Sequence, residues 1–393
     1  MPNAEYLRVG VVGSGARSRL ALNVLDADVP ARIVGVADTT EQGRARASDY
    51  FGAEVEVVSS VPELLALGID AAFVTTPDHT HAAIAEELLR GGAAVYLEKP
   101  LAITIEQADA VLEAAYESGS KLYVGHNMRH MPVVRLMRDL VLQGAIGEVK
   151  AVWCRHFVGN GGDYYFKDWH AERSKTTGLL LQKGAHDIDV IHWIAGGYTR
   201  DVVGMGDLAV YGGITDRSDN SDRVMQDWFS YDNWPPLEQT GLNPTIDVED
   251  ISMVSMRLDN GVLASYEQCH FTPDYWRNYT VIGTHGRLEN FGDSEGGVVR
   301  LWDHRTSYKA DGDREFPIPA GDGGHNGADA LTVGEFLRFV RDGAPTDTSP
   351  IAARNAVAAG VAATQSLRNG SVPQRVPALS DAILDYFADG QAQ

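Results

Sequence analysis

RVGVVGSGARS, residues 8–18, decides how the rest of the chain is read. The apolar run RVGVVG has the composition of a buried strand, and ARSRLALNVL after it reads as a helix. Between them, Gly13 permits a tight turn. Gly15 lets the backbone approach an anion at the helix N-terminus, where free N–H groups and the helix dipole favour a pyrophosphate. Ser18 stands where the dinucleotide fingerprint has its third glycine, and is small enough for close helix–strand packing. Ser14, Ala16 and Arg17 complete the loop as candidate cofactor contacts. The next strand, RIVGVAD, ends at Asp38, 23 positions beyond Gly15. An acid there suits the adenosine ribose hydroxyls and repels a 2′-phosphate, which favours NAD over NADP; Arg44 shortly after keeps NADP open.

Working outward, strand-like and helix-like segments alternate to about Arg129: TEQGRARASDYFG, DAAFVTT, HAAIAEELLRGG, AAVYLEKP, ITIEQADAVLEAAYESGS and KLYVGHN. This rhythm predicts βαβ units and a parallel sheet, a Rossmann dinucleotide-binding domain over residues 1–130. From residue 131 the texture changes. VKAVWCRHFVG, DLAVYGG, EDISMVSMRLDN, GVLASYEQCHFTP, RNYTVIGTHG and GRLENFG have period-two patterning, with turns at Asn260-Gly261 and His285-Gly286. They predict an α+β domain, residues 131–393, on a mostly antiparallel sheet. Residues 212–247 form a polar excursion with little periodicity, suited to a lid or a subunit contact. GADALTVGEFLRFVRDG and SPIAARNAVAAGVAATQSLRNG read as helices.

The 393 residues carry a formal charge of −21, with 44% hydrophobic and 22% charged residues. That balance suits a globular chain of two or three domains and argues against nucleic acid or anionic membrane as partner. Two cysteines imply no disulfide framework and fit a reducing cytoplasm. The N-terminus lacks the pattern of a signal peptide, and no apolar run reaches the ~20 residues of a membrane span. The His79/His81, His126/His130 and His186/His192 pairs lack the further ligands of a zinc site, so no metal is expected. No nucleophile elbow is present either.

Two stretches fall where strands of such a sheet end. Thr75-Thr76-Pro77-Asp78-His79-Thr80-His81 follows DAAFVTT, and Glu98-Lys99-Pro100 follows AAVYL. With the nucleotide fingerprint, they make the chain resemble the Gfo/Idh/MocA family of glucose–fructose oxidoreductases and inositol dehydrogenases, over nearly its whole length. The resemblance implies that Thr76, Pro77, His79, His81, Glu98 and Lys99 line the cofactor, and that Lys99 also lies near substrate. It implies a cis bond before Pro100. The Asn127-Met-Arg129 segment matches one that would bring Arg129 to the substrate cleft.

LLLQKGAHDIDVIHW, residues 179–193, reads as a buried strand passing into a helix, with Gln182, Lys183, His186, Asp187 and Asp189 at the junction. On a helix His186 and Asp189 share a face, so Asp189 is able to orient the imidazole. By the resemblance, His186 is general base in oxidation and Lys99 its electrostatic partner. Gln182 replaces the family's Asp; it cannot accept a proton, but it can bind a hydroxyl. Tyr164, Trp169 and His170 are candidate sugar contacts, or core aromatics under a surface loop. His325 either contacts substrate or caps the next helix.

The expected activity is NAD-dependent oxidation of a ring hydroxyl of a sugar, sugar derivative or cyclitol, by a homodimer or homotetramer. The rival is an NAD-dependent glycosidase that oxidises its sugar transiently with no net redox change. A non-enzymatic sensor is a third reading.

Overall fold

The computed structural model describes residues 6–321 and 323–391, so residues 1–5 of the N-terminal reading lie outside it. The described chain divides into two compact units. The first comprises residues 1–127, 328–354 and 378–393, and the second residues 128–327 and 355–377. The sequence reading ran the second domain unbroken from 131 to 393; two later segments instead return to the first unit.

In the first unit, the described strands are β1 (Leu7–Val12), β2 (Ala31–Ala37), β3 (Glu56–Val58), β4 (Ala71–Val74), β5 (Ala94–Leu97) and β6 (Leu122–Val124). They form a parallel sheet in the order β3-β2-β1-β4-β5-β6. Strands β4, β5 and β6 are buried throughout, as expected of a sheet covered on both faces. The segment after the first glycine turn is helical as read, but in the 3-10 form over Ala16–Asp26. Returning helix Ala328–Asp342 completes the core. Phe336 packs edge-on against Phe73 at 5.4 Å and Tyr96 at 5.6 Å. Periodicity alone could not place this helix, because its partners lie over two hundred residues earlier in the chain. At the terminal strand β6, one side chain takes the place of a further strand: Gln391 accepts from the Leu122 amide at 2.7 Å and donates to its carbonyl at 2.8 Å.

The second unit is built on β7 (Val149–Phe157), β8 (Thr199–Asp207), β9 (Ile251–Leu258), β10 (Leu263–Cys269), β11 (Trp276–Gly283), β12 (Arg287–Phe291), β13 (Val298–Trp302), β14 (Arg314–Pro317) and β15 (Gln374–Arg375). The described order is β14-β13-β12-β11-β7-β10-β9-β8-β15. Only the β7–β10 pairing is parallel among these. Strand β9 alternates buried and exposed residues, the mark of a sheet with one face on the core and one to solvent. Helix Gly184–Ala195 packs on the covered face, against β7 and β10.

Two local expectations are corrected. Leu179–Leu181 are not a strand; Leu179–Gln182 is a single helical turn feeding the next helix. A short apolar run cannot by itself distinguish the two. DLAVYGG is not a strand either. Strand β8 ends at Asp207, because the buried Asp250 carboxylate accepts from the amides of Ala209, Val210 and Tyr211 at 2.8–2.9 Å and curls the chain away. The stretch 199–206, β13, β14, β15 and helix Asp381–Ala388 were not anticipated. The 212–247 excursion contains, among its described elements, short 3-10 turns and one bridge between Arg217 and Leu242.

Helix Pro350–Arg368 lies close over β8, where a Cβ on Gly204 would sit 2.5 Å from the Ala363 carbonyl oxygen. Gly204→Ala is therefore expected to destabilise the protein by about 1–3 kcal/mol, read as a lowered urea midpoint with unchanged slope.

Candidate functional site

The strand order of the first unit reverses between β1 and β4, and such sheets bind ligands beyond the carboxyl ends of the strands at that point. The glycine turn lies there. Gly13 has φ +89°, and a Cβ on it would meet Thr76 Cγ2 at 2.8 Å, so both conformation and space require glycine. A Cβ on Gly15 would meet nothing within 4 Å, leaving open space in front of the backbone. Ser18 closes the turn by donating from Oγ to the Gly15 carbonyl at 2.7 Å. Ala16 is exposed.

Asp38 is held from four directions. Its Oδ2 accepts from the Ser14 amide at 3.1 Å and Ser14 Oγ at 2.6 Å. Its Oδ1 accepts from the Thr40 amide at 2.9 Å and Thr40 Oγ1 at 2.8 Å. Burial would raise its pKa, but these hydrogen bonds outweigh burial and hold it below the usual carboxylate range. Gly43 makes the room: a Cβ there would lie 2.1 Å from Asp38 Oδ1. Sequence reading missed Gly43; a glycine in the first turn of a helix was the available signal.

Arg17 does not simply face outward from the loop. Its guanidinium donates to Glu98 Oε1 at 2.7 Å and pairs with both oxygens of Asp329 at 2.7 and 2.9 Å. Asp329 also accepts from Asn127 Nδ2 at 2.8 Å, and Asn127 Oδ1 is buried without a hydrogen-bond donor. Glu98 is buried and its Oε2 accepts from the Lys99 amide at 3.2 Å. Lys99 is half-buried, followed by a cis bond to Pro100. His81, fully buried, spans the Thr76 and Pro100 carbonyls at 2.9 and 2.7 Å, joining the turns after β4 and β5. Thr76 accepts from Thr80 Oγ1; Pro77 is half-buried and His79 exposed. The open Gly15 backbone, the ionised Asp38 and the donorless Asn127 Oδ1 fit a dinucleotide with an amide-bearing ring.

In the second unit the helix Gly184–Ala195 carries the predicted cluster. Gln182, His186 and Asp189 are buried and Lys183 is half-buried. Arg129 grips Asp189 with two parallel hydrogen bonds of 2.6 and 2.7 Å and lies over the Trp193 ring. The sequence set Asp189 to orient the His186 imidazole and Arg129 to reach the substrate cleft; the structure pairs the two, with both Asp189 oxygens accepting from Arg129. Trp169 stacks on His170 with centroids 3.7 Å apart, and His170 pairs with Asp168. Tyr164 is exposed, and His325 is exposed in a left-handed turn with φ 49°.

Asp187 stands in the polar cluster of the junction without a role assigned from sequence, yet four side chains converge on it. Fully buried, it meets His156 Nδ1 at 3.0 Å, Arg277 Nε at 3.0 Å, and the hydroxyls of Tyr266 and Tyr279. Burial opposes its ionisation, but Arg277, His156 and the Tyr279 hydroxyl hold it well below the usual range. His156 is pushed down to about 3, by burial first and by Arg277 second. His270, also fully buried, is lowered to about 3 mainly by burial. Chain neighbours on a helix point to different faces, so Asp187 anchors the turn that carries His186.

Residues 7–126 match the model of an oxidoreductase family's NAD-binding Rossmann fold, and residues 138–376 that of the same family's C-terminal alpha/beta domain. The chain is 26% identical to the scyllo-inositol 2-dehydrogenase (NAD(+)) of Bacillus subtilis, over 93% of this chain and 95% of that one. It is 28% identical to an inositol 2-dehydrogenase of Rhizobium meliloti, over 48% of this chain and 55% of that one. Its fold resembles a levoglucosan dehydrogenase solved with NADH, with TM-score 0.75, 20% identity, and 95% and 100% of the two chains covered. No helix of the described residues is long and apolar enough to cross a membrane.

The two buried histidines have a measurable consequence. In the unfolded chain each binds a proton near pH 6.5, while in the folded chain each stays neutral to about 3. The unfolded state therefore takes up more protons as pH falls, and stability drops from about pH 6.5 downward. Asp187, whose pKa is depressed on folding, adds a loss at lower pH still. Urea midpoints between pH 7 and 4 should fall accordingly, and less steeply in His270→Gln; a flat profile from 7 to 5 would contradict the burial argument.

Proposed function

We propose that this chain, which belongs to the Gfo/Idh/MocA oxidoreductase family, is an NAD-dependent dehydrogenase acting on a ring hydroxyl of a sugar, sugar derivative or cyclitol. The observation that carries this reading is the conjunction, on family-matched domains, of an ionised Asp38 behind the glycine turn with Lys99 at a strand end and His186 at the head of a buried helix. The bound dinucleotide supplies the two-electron acceptor. Asp38 receives the adenosine ribose hydroxyls, with Ser14 and Thr40 yielding part of its coordination. NAD is favoured over NADP, because a 2′-phosphate would face that carboxylate, and Arg44 is engaged by the carbonyls of Asp38 and Thr39 at 3.0 Å.

Lys99 and His186 are the acid/base pair. The ammonium stabilises negative charge as the substrate hydroxyl loses its proton, and the imidazole takes that proton. Gln182, Lys183, Arg129 with Asp189, Tyr164, Trp169, His170 and His325 are the proposed substrate contacts. Gln182 binds a hydroxyl without moving a proton, so one imidazole serves for the whole transfer.

The functional unit is an oligomer. By strand register Trp153, Met205, Met253 and Leu263 share one face of the second sheet, and each is about half exposed or more. Apolar area of that kind is covered by a second copy of the chain. Trp153→Arg with Met253→Asp is expected to give monomers by sedimentation; an unchanged assembly would place the subunit contact elsewhere.

The activity is tested by absorbance of reduced nicotinamide with purified protein, NAD and a panel of pyranoses, cyclitols and glycosides. Formation of NADH with particular free sugars or cyclitols is expected. His186→Ala and Lys99→Met should each lower kcat by about 10²–10⁴ with NAD binding retained. Sugar release from glycosides at constant cofactor would instead establish the redox-neutral glycosidase.

A further inference from the structure

Six aromatic rings in the second unit form one continuous track. From Trp169 it passes to His170 at 3.7 Å, to Tyr165 at 5.6 Å, to Tyr164 at 6.1 Å, to Phe229 at 5.7 Å and to Tyr231 at 5.2 Å. Its inner rings lie by the helix junction: Tyr165 packs edge-on to His270 at 5.2 Å and shares a buried apolar cluster with Leu179. Its outer end is open, with Tyr164 37% and Tyr231 80% exposed. The outer rings, Phe229 and Tyr231, come from the irregular excursion.

That excursion is nonetheless pinned. Buried Asp163 accepts from Asn233 Nδ2 at 2.8 and 3.1 Å, and its carbonyl accepts from Trp228 Nε1 at 2.9 Å. Lys167 lies 2.9 Å from the same carboxylate and offsets its charge. Trp228 and Asn233 thus bracket Phe229 and Tyr231, so both rings are carried on a backbone fixed at each side. A loop that merely connected two strands would need neither the buried ion pair nor the exposed rings.

We infer that this track is a binding platform for the second ring of a glycoside, whose first ring occupies the proposed dehydrogenase site; the inference rests on that site being a carbohydrate site. Aromatic faces carry negative quadrupole density and receive the C–H face of a pyranose or the edge of an aryl aglycone. Asp227 and Asp232, exposed beside the rings, accept from hydroxyl groups. Charge selects the occupant. Residues 212–247 hold seven carboxylates against two arginines, which repels an anionic polymer, a lipid headgroup and the same face of a second copy, while leaving a neutral glycoside unopposed.

The test is a binding measurement without turnover, by calorimetry on the full-length protein with NADH bound, using glucose, cellobiose and phenyl β-D-glucopyranoside. Wild type should bind the two-ring ligands about tenfold or more tighter than glucose. Tyr231→Ala and Phe229→Ala should each remove most of that advantage and leave glucose affinity unchanged. Tyr231 is the safer variant for folding, because its ring is largely in solvent. Equal affinity for one-ring and two-ring ligands in wild type overturns the inference. So does a preference that both variants retain, or a change confined to sedimentation. Track-dependent binding with no NADH formation on any substrate would remove the dehydrogenase reading and leave the platform. NADH formation from free sugars without two-ring preference would do the reverse.

Discussion

A carboxylate with no access to water, Asp187, keeps its charge only because a guanidinium, an imidazole and two phenols converge on it. Removing any one donor leaves the others around a charge that burial penalises by several kcal/mol. The donors come from three strands, β7, β10 and β11, while the acceptor belongs to the helix Gly184–Ala195. The helix is thereby held in one register on the sheet. Its apolar residues alone would have tolerated sliding, since Ile188, Val190, Ile191 and Ile194 are all buried and alike in kind. His186, one residue away, inherits that register, and so does Asp189 with its bidentate partner Arg129.

The first unit has its own counterpart. Arg17, in the loop after the glycines, is tied to Glu98 at the end of β5 and to Asp329 at the start of a returning helix. Asp329 in turn holds Asn127 beyond β6. One charged network therefore connects the turn after β1 with the ends of β5 and β6. Burial alone would disfavour the Arg17 charge; Glu98 and Asp329 more than reverse this and hold it fully protonated. His81 adds a strap between the turns after β4 and β5. The backbone beside Lys99 is thus restrained from two sides before any ligand arrives.

Much of this was legible in advance. The parallel sheet follows from alternating apolar and amphipathic segments, and the nucleotide turn from Gly13, Gly15 and Asp38, because both signals are local. Thr76, Glu98 and Lys99 were placed at strand ends by the same local signal, and their assignment to the cofactor came from the family resemblance. What was misread was also local in origin: Leu179–Leu181 looks alike as helix or strand, and the strand expected at DLAVYGG is ended by Asp250, some forty residues further on. Gly43 was passed over and Asp187 was given no role, because a glycine or an acid in a helix has no meaning until its neighbour in space is known.

The sequence by itself determined the dinucleotide turn and the NAD-binding fold, because residues within a few positions of one another carry that signal; the roles proposed for Lys99 and His186 come from the family resemblance. The tertiary structure alone decided which polar groups are already committed. Arg17 belongs to Glu98 and Asp329, Arg129 to Asp189, and Asp187 to Arg277 and His156. The physical reason is that a buried charge is stable only beside its partner, and most of these partners are separated by sixty to three hundred residues of chain. Periodicity cannot report such distances; folding creates them.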